Sequence, residues 1–417
     1  MLDGLATIVF LKSMLHSSHP TQNVHYAIRD IILEAQKLIP KDKKILPLNI
    51  GDPLKFDFKT PRHIQDAVRE SLAETSAYAP SEGLEEACLA VAQFQSQFGI
   101  PKLTAADILI TSGGSEAISL ILASVLNPGD SILIPYPGYP AYEAQINLCQ
   151  AKAKPYYLDE GNEWQIDPDE IESLIDSKTR AIVIINPNNP TGAVLTQNVL
   201  KEVLLVAQKH NLLVIADEQV YPFYVFEGEM TMCASLGIDV PIISIGSMSK
   251  TYLVPGYRIG WIVFNDLAHN LAEVKETIFK LKRVNLCSPH PLQKAVKPAL
   301  GGSHAFLSEV KEKLINRRNL LTEKINRIEG LSLVKPKGAF YAFVKIEFPI
   351  QSDKNFVLKL AQKTGILCVP GEGIGQKEGT HHFRLVFLPP EKMLEEALDN
   401  LEAFVKSYGQ IPDFFIS

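Results

Sequence analysis

One lysine in the run Ser247-Met248-Ser249-Lys250-Thr251-Tyr252-Leu253-Val254-Pro255-Gly256-Tyr257-Arg258-Ile259-Gly260 stands among hydroxyls and small residues, with an arginine eight positions on. The apolar stretch 241–245 before it reads as a buried strand, so the polar residues begin just past a strand end. A lysine at such a rim loses its proton when desolvated beside another cation, and a neutral amine can form a Schiff base with a carbonyl carbon. Arg258 can hold an anion through paired hydrogen bonds, and Ser247 and Ser249 can each add one. An amine for an aldehyde beside a clamp for a phosphate is what pyridoxal phosphate requires. Any single lysine reads more simply as part of a solvated basic turn. The spacing Ser-x-Ser-Lys-x-x-x-x-Pro-Gly-x-Arg-x-Gly is far more restrictive than the lysine alone.

Other chemistry-bearing residues also fall at predicted strand ends. The strand 107–111 runs into Ser112-Gly113-Gly114 and then an apolar helix, 117–126. Free amides and a positive dipole end make that turn an anion site. It lacks both the G-x-x-x-x-G-K-[ST] and G-x-G-x-x-G patterns, so nucleotide-loop readings fail. After the strand 131–135, Tyr136 and Tyr139 compete as the aromatic that could stack on a planar ring. The strand 180–185 is apolar on both faces, as in a parallel sheet, and ends in Asn186-Pro187-Asn188-Asn189-Pro190-Thr191-Gly192, a loop that presents side-chain amides. The buried strand 212–216 ends at Asp217-Glu218, where a carboxylate is costly unless paired.

The remaining candidates read more plainly on their own. Gly51, in the turn after 45–50, can let a ligand approach, but ordinary turn chemistry explains it equally well. Tyr78 lies in a loop between two helical patterns, where a tyrosine is usually packing. Arg384, in the alternating strand 382–387, would face water or pair with an acid. Gly371 to Gly375 reads as a flexible loop, and His381-His382 as solvated rather than metal-binding, with no third ligand in sight.

Taken together, the lysine segment, the Asn-Pro-x-Asn-Pro-Thr-Gly run and Asp217 between them resemble the class I/II aminotransferases, the fold-type I pyridoxal phosphate enzymes. The resemblance spans Asn49 to Arg384 with every motif in order, and it implies the following roles. Lys250 holds the cofactor and moves the substrate α-proton. Asp217 pairs with the pyridine nitrogen, Asn189 reaches the ring hydroxyl, and Tyr139, favoured over Tyr136, stacks on the ring. Ser112, Gly113, Gly114, Ser247, Ser249 and Arg258 hold the phosphate, with Tyr78 contributed across a homodimer interface. Arg384, with Gly51 and Asn189 close by, takes the substrate carboxylate. Family members carry a tyrosine three residues after the aspartate; here Val220 stands there and Tyr221 follows one place later. A bulge can absorb the extra residue, so Tyr221 remains the candidate.

Within the family, the stretches 48–53, 182–194 and 249–252 look most like bacterial alanine aminotransferases that use glutamate. The implied reaction is transamination between an L-amino acid, alanine by preference, and a 2-oxo acid through a lysine Schiff base. Aspartate, branched-chain and aromatic substrates, or a carbon–sulfur β-lyase reaction, remain open on the same scaffold. A non-catalytic regulator is disfavoured, because no DNA-binding segment precedes the core. Arg283 lies about where a reader of a second carboxylate would be, without an assigned role.

The 417 residues allow a large core and two domains. The alternation of strands and helices implies an α/β fold with a mainly parallel sheet and a smaller α+β domain. The expected division is 1–60 for an N-terminal arm and part of the small domain, 61–300 for the cofactor domain, and 301–417 for a linking helix and the rest of the small domain. Hydrophobic content of 46% with 21% charged residues excludes a mainly disordered chain, and a net charge of −6 gives no support to nucleic-acid binding. Five scattered cysteines without a C-x-x-C pair argue for a reducing, cytoplasmic setting and against a zinc site. The apolar segment 6–15 is too short to span a membrane and reads as an arm against a partner subunit, with Met14 a candidate start.

Overall fold

The computed structural model describes residues 17–24, 26–100, 103–266 and 270–408. The segment 6–15 and Met14 lie outside the described residues. In chain order the strands are β1 (Leu46–Pro47), β2 (Ile108–Thr111), β3 (Ser131–Tyr136), β4 (Lys152–Tyr157), β5 (Thr179–Ile185), β6 (Leu213–Gln219), β7 (Ile242–Ser247), β8 (Gly260–Asn265), β9 (Leu331–Ser332), β10 (Tyr341–Ile346), β11 (Ile366–Leu367), β12 (Val369–Pro370) and β13 (His382–Val386).

Seven of them form one sheet in the order β2-β8-β7-β6-β5-β3-β4. Strands β3 to β7 run parallel, and β8 is antiparallel to both neighbours. Helices cover both faces, which is why β5 and β7 are Ile-rich and almost wholly buried. The antiparallel entry of β8 follows from its connection. The lysine segment turns straight back from β7, whereas a parallel neighbour would need a crossover. Consequently Thr111, Ile185, Gln219, Ser247 and Gly260 all come to one edge of the sheet, where ligands of open α/β sheets bind.

A four-stranded sheet, β12-β13-β10-β9, and the short pair β1-β11 make a second layer. One apolar core unites Ile31, Ala35, Leu46, Leu48 and Phe58 with residues between Leu307 and Phe404. The long helix Phe306–Ile325 carries Leu314 and Leu321 into that core. No helix among the described residues is long and apolar enough to cross a membrane.

Two expectations are corrected here. Gly371–Ile374 is a 3-10 helix, and a Cβ on Gly373 would collide with Ala27, so this glycine serves close packing. His382 is buried. It stacks on Phe343 with centroids 4.5 Å apart and meets Glu160 Oε1 at 3.3 Å. Strand β13 lies between β12 and β10, and all five of its residues are buried, so neither of its faces is open to water.

Candidate active site

Strand β7 delivers Ser247 to the sheet edge, and Lys250 follows in the turn. The half-buried Lys250 Nζ donates to the carbonyl oxygen of Gly51, tying the N-terminal segment to the lysine turn. Burial pushes the Lys250 amine down to about 8, helped by the Arg384 and Arg258 charges and opposed by Asp52. Part of the population is therefore neutral near physiological pH. That is the condition for a nucleophilic or proton-accepting amine.

Asp217 lies on β6, two strands' width from β8 and beside β7. Its Oδ2 accepts from Tyr142 Oη at 3.0 Å, and burial pushes the carboxyl up to about 6. No cation pairs with it among the described residues, so a proton-bearing ring nitrogen is the kind of group that would offset its burial. Past Asp217 the register with β7 shifts by one residue. Beyond this bulge, Tyr221 Oη lies 2.9 Å from Tyr341 Oη.

Arg384 comes from β13 and is almost fully buried. Its Nη1 donates to Asn189 Oδ1 and its Nη2 to the carbonyl of Asn49, each at 3.0 Å, while its Nε has no partner. Its guanidinium carbon lies 4.8 Å from the Tyr341 ring centroid. All these partners are neutral, so a buried cation stands ready for a carboxylate. A Cβ on Gly51 would sit 2.6 Å from Tyr341 Oη, so residue 51 must be small here. Tyr139 stands edge-on to Tyr142 at 6.5 Å, and its hydroxyl is 3.2 Å from Tyr26 Oη.

The anion cradle forms at the start of the helix Gly114–Val125. Gly113 has φ +84°, and a Cβ there would lie 2.6 Å from Arg258 Nη2. Arg258, exposed and itself at φ +53°, donates to the Pro255 carbonyl at 3.1 Å and pairs with no carboxylate among the described residues. Ser247 Oγ donates to Ser249 Oγ at 2.8 Å, which places two hydroxyls side by side. Ser112 is held through its amide by Glu116, which also binds the buried Lys282 at 2.8 Å. Helix amides without internal partners, two hydroxyls and an unpaired guanidinium suit a phosphate.

The sequence-predicted residues thus converge, with two exceptions. Tyr78 is 78% exposed, and no described hydrogen bond joins it to the cluster. Arg283 is taken up by Glu276 at 3.3 Å and Glu82 at 3.8 Å. Sequence reasoning missed Tyr26, Asn49, Tyr142 and Tyr341. Tyr142 carried a signal, standing three residues after Tyr139 in the first turn of the helix Ala141–Leu148. The other three reach the site only through pairings distant in sequence.

A depressed lysine amine, a half-buried carboxylate without a cation on the next strand, and a phosphate cradle around a left-handed glycine fit pyridoxal phosphate. The fold and this site define a pyridoxal-phosphate-dependent transferase. Residues 43–401 match the family model for aminotransferase class I and II, and the chain belongs to that family. It is 37% identical over 400 residues to the glutamate-pyruvate aminotransferase AlaA of Haemophilus influenzae, covering 94% of this chain and 98% of the relative. An alanine aminotransferase of Mycobacterium tuberculosis is 35% identical, covering 93% and 92%. The solved structure of an alanine aminotransferase from Pyrococcus furiosus superposes with a TM-score of 0.91 at 40% identity, covering 94% of this chain and all of that one. The protein is a pyridoxal-phosphate-dependent aminotransferase, and its substrates are amino acids and 2-oxo acids.

Proposed function

We propose that the protein transfers the amino group between L-alanine and 2-oxoglutarate, giving pyruvate and glutamate. The observation that carries this reading is Arg384, a buried cation with only neutral partners, placed near a depressed lysine. It suits a substrate whose α-carboxylate is held while the α-carbon faces Lys250. The names of the relatives support alanine and glutamate as the pair.

When bound, pyridoxal phosphate supplies an aldehyde that captures amines and a protonated ring that draws electrons from the bond being broken. Lys250 Nζ, once free, accepts the substrate α-proton and returns it, with the Gly51 carbonyl orienting it between steps. Asp217, steadied by Tyr142, keeps the proton on the ring nitrogen. Asn189 and Tyr221 would reach the ring hydroxyl, and Tyr139 would pack on the ring. Ser112, Gly113, Gly114, Ser247, Ser249 and Arg258 hold the phosphate, with Tyr78 of the partner subunit in a homodimer. Arg384 fixes the carboxylate, next to Gly51 and Asn189. We assign the chain to the cytoplasm, with residues 61–300 as cofactor domain and 1–60 with 301–417 as the smaller one.

The test is the visible spectrum of the cofactor-loaded protein after addition of single amino acids. Bleaching fastest with alanine and glutamate supports the reading. Faster bleaching with aspartate, leucine or tyrosine overturns the substrate assignment. Pyruvate and ammonia released from cysteine conjugates without an oxo acid would mark a β-lyase instead.

A further inference from the structure

Strand β6 carries one residue more than β7 beside the site: Asp217 pairs with Ile245, and Gln219 pairs with the next residue, Gly246. At such a bulge two consecutive side chains leave the sheet on the same side. Glu218 reaches Ser244 Oγ at 3.0 Å and the Cys233 amide at 2.8 Å. Gln219 Oε1 accepts from Trp261 Nε1 at 2.8 Å and from Gln95 Nε2 at 3.1 Å, and its Nε2 donates to Gln95 Oε1 at 2.8 Å. Asp217 faces the other way, toward Tyr142.

This clasp is buried throughout, with Gln95, Gln219 and Trp261 all shielded from water. Gln95 ends the helix Glu85–Gln95, and its side chain is steadied by the carbonyl of Val91 at 3.2 Å. The Trp261 indole lies over Gly246, where any Cβ would collide with it. The glycine opens the path by which the indole of β8 crosses β7 to reach Gln219 on β6. Three hydrogen bonds to a buried amide fix one geometry, because any other leaves polar groups orphaned.

We infer that Gln219 is a positioning residue for the transamination: its clasp to Gln95 and Trp261 locks the extra residue of β6 into a bulge behind the site, so that Asp217 and Tyr221 both face it. Without the clasp, β6 would pair with β7 residue for residue, and every residue after Asp217 would move one place along it. Val220 would then take the place where Tyr221 now meets Tyr341. The inference rests on the proposal that Tyr221 addresses the cofactor's ring hydroxyl.

The experiment is a pH titration of the visible band of the cofactor-loaded protein, without substrate, over about pH 5 to 10. Its midpoint reports how tightly the proton at the Lys250 nitrogen is shared with the ring oxygen. Losing a donor to that oxygen strengthens its hold on the proton, so Tyr221→Phe raises the midpoint by about one pH unit. Gln219→Leu moves it the same way, and so does Gln95→Leu, which leaves β6 untouched and serves if Gln219→Leu does not fold. Gln219→Leu combined with Tyr221→Phe goes no further than Tyr221→Phe alone.

An unmoved midpoint in Gln219→Leu and Gln95→Leu, with Tyr221→Phe shifted, overturns the inference. Lowered melting temperatures alone would mark a merely structural clasp and also overturn it. No shift in any variant, Tyr221→Phe included, would instead refute the role of Tyr221, and the inference with it.

Discussion

Asp217 ought to cost the cofactor-free protein stability and to return it on loading. In the folded chain its carboxyl is pushed up to about 6 from the ordinary 3.8, and burial is the main cause. The sign follows from proton counting. Between those two values the folded state binds more protons than the unfolded one, so stability falls as pH rises through that window. The difference of 6 − 3.8, about two units, corresponds to about 3 kcal/mol above pH 6, each unit being about 1.4 kcal/mol. Asp217→Asn keeps an oxygen for the Tyr142 hydroxyl and removes the charge. The cofactor-free variant should therefore exceed wild type by up to about 3 kcal/mol at pH 8, and the gap should close at about pH 4. Loaded with cofactor the order should reverse, because the neutral amide of Asp217→Asn would not hold a proton on the ring nitrogen as a carboxylate would. Denaturant melts of both proteins, with and without cofactor at both pH values, measure this. A gap that does not depend on pH, or a variant stabilised by cofactor as much as wild type, would refute the reasoning.

Gly113→Ala should weaken cofactor binding at least about tenfold, since its Cβ would press on Arg258 Nη2 at a φ of +84°. Equilibrium titration with pyridoxal phosphate tests this, and an unchanged dissociation constant would exclude the cradle. Arg384→Lys loses the fork that spans Asn189 and Asn49 and should lower kcat/KM by about 100-fold, through the carboxylate of the substrate. Cofactor affinity should hardly change, and an equal loss in both would misplace the residue. Tyr78→Phe should weaken cofactor binding by about tenfold. Hybrid dimers with Lys250→Ala subunits should regain one site of wild-type affinity, because the intact Tyr78 then comes from the other subunit. Hybrids without that gain would remove Tyr78 from the site.

The sheet edge was legible because the apolar runs of β5, β6 and β7 stop at chemistry-bearing residues: Asn186, Asp217 and Ser247. Burial on both faces announces such strands, and ligands gather at their ends. The Ser112-Gly113-Gly114 turn was legible for a similar reason, although the helix begins earlier than expected, at Gly114. Contacts set by long-range register were not legible. Tyr341 meets Tyr221 across 120 residues, and Asn49 meets Arg384 across 335. Neither local spacing nor composition carries those pairings. His382 misled because a polar residue in an alternating strand suggests an open face, whereas Phe343 and Trp164 cover this imidazole. The glycines of Gly371–Ile374 misled likewise: close approach to Ala27 requires a small residue as surely as a flexible loop would. The displaced Tyr221 was legible only as a conflict in spacing, and β6 carries a one-residue bulge between Asp217 and Gln219, just before it.

The central claim is that Lys250 is the amine that bonds the cofactor and moves the proton. Reduction of the loaded protein with borohydride, followed by peptide mass mapping, tests it most directly. The account predicts a single stable cofactor adduct, on the peptide containing Lys250, and none in Lys250→Ala. A cofactor fixed to another lysine, or Lys250→Ala with wild-type turnover, would contradict it.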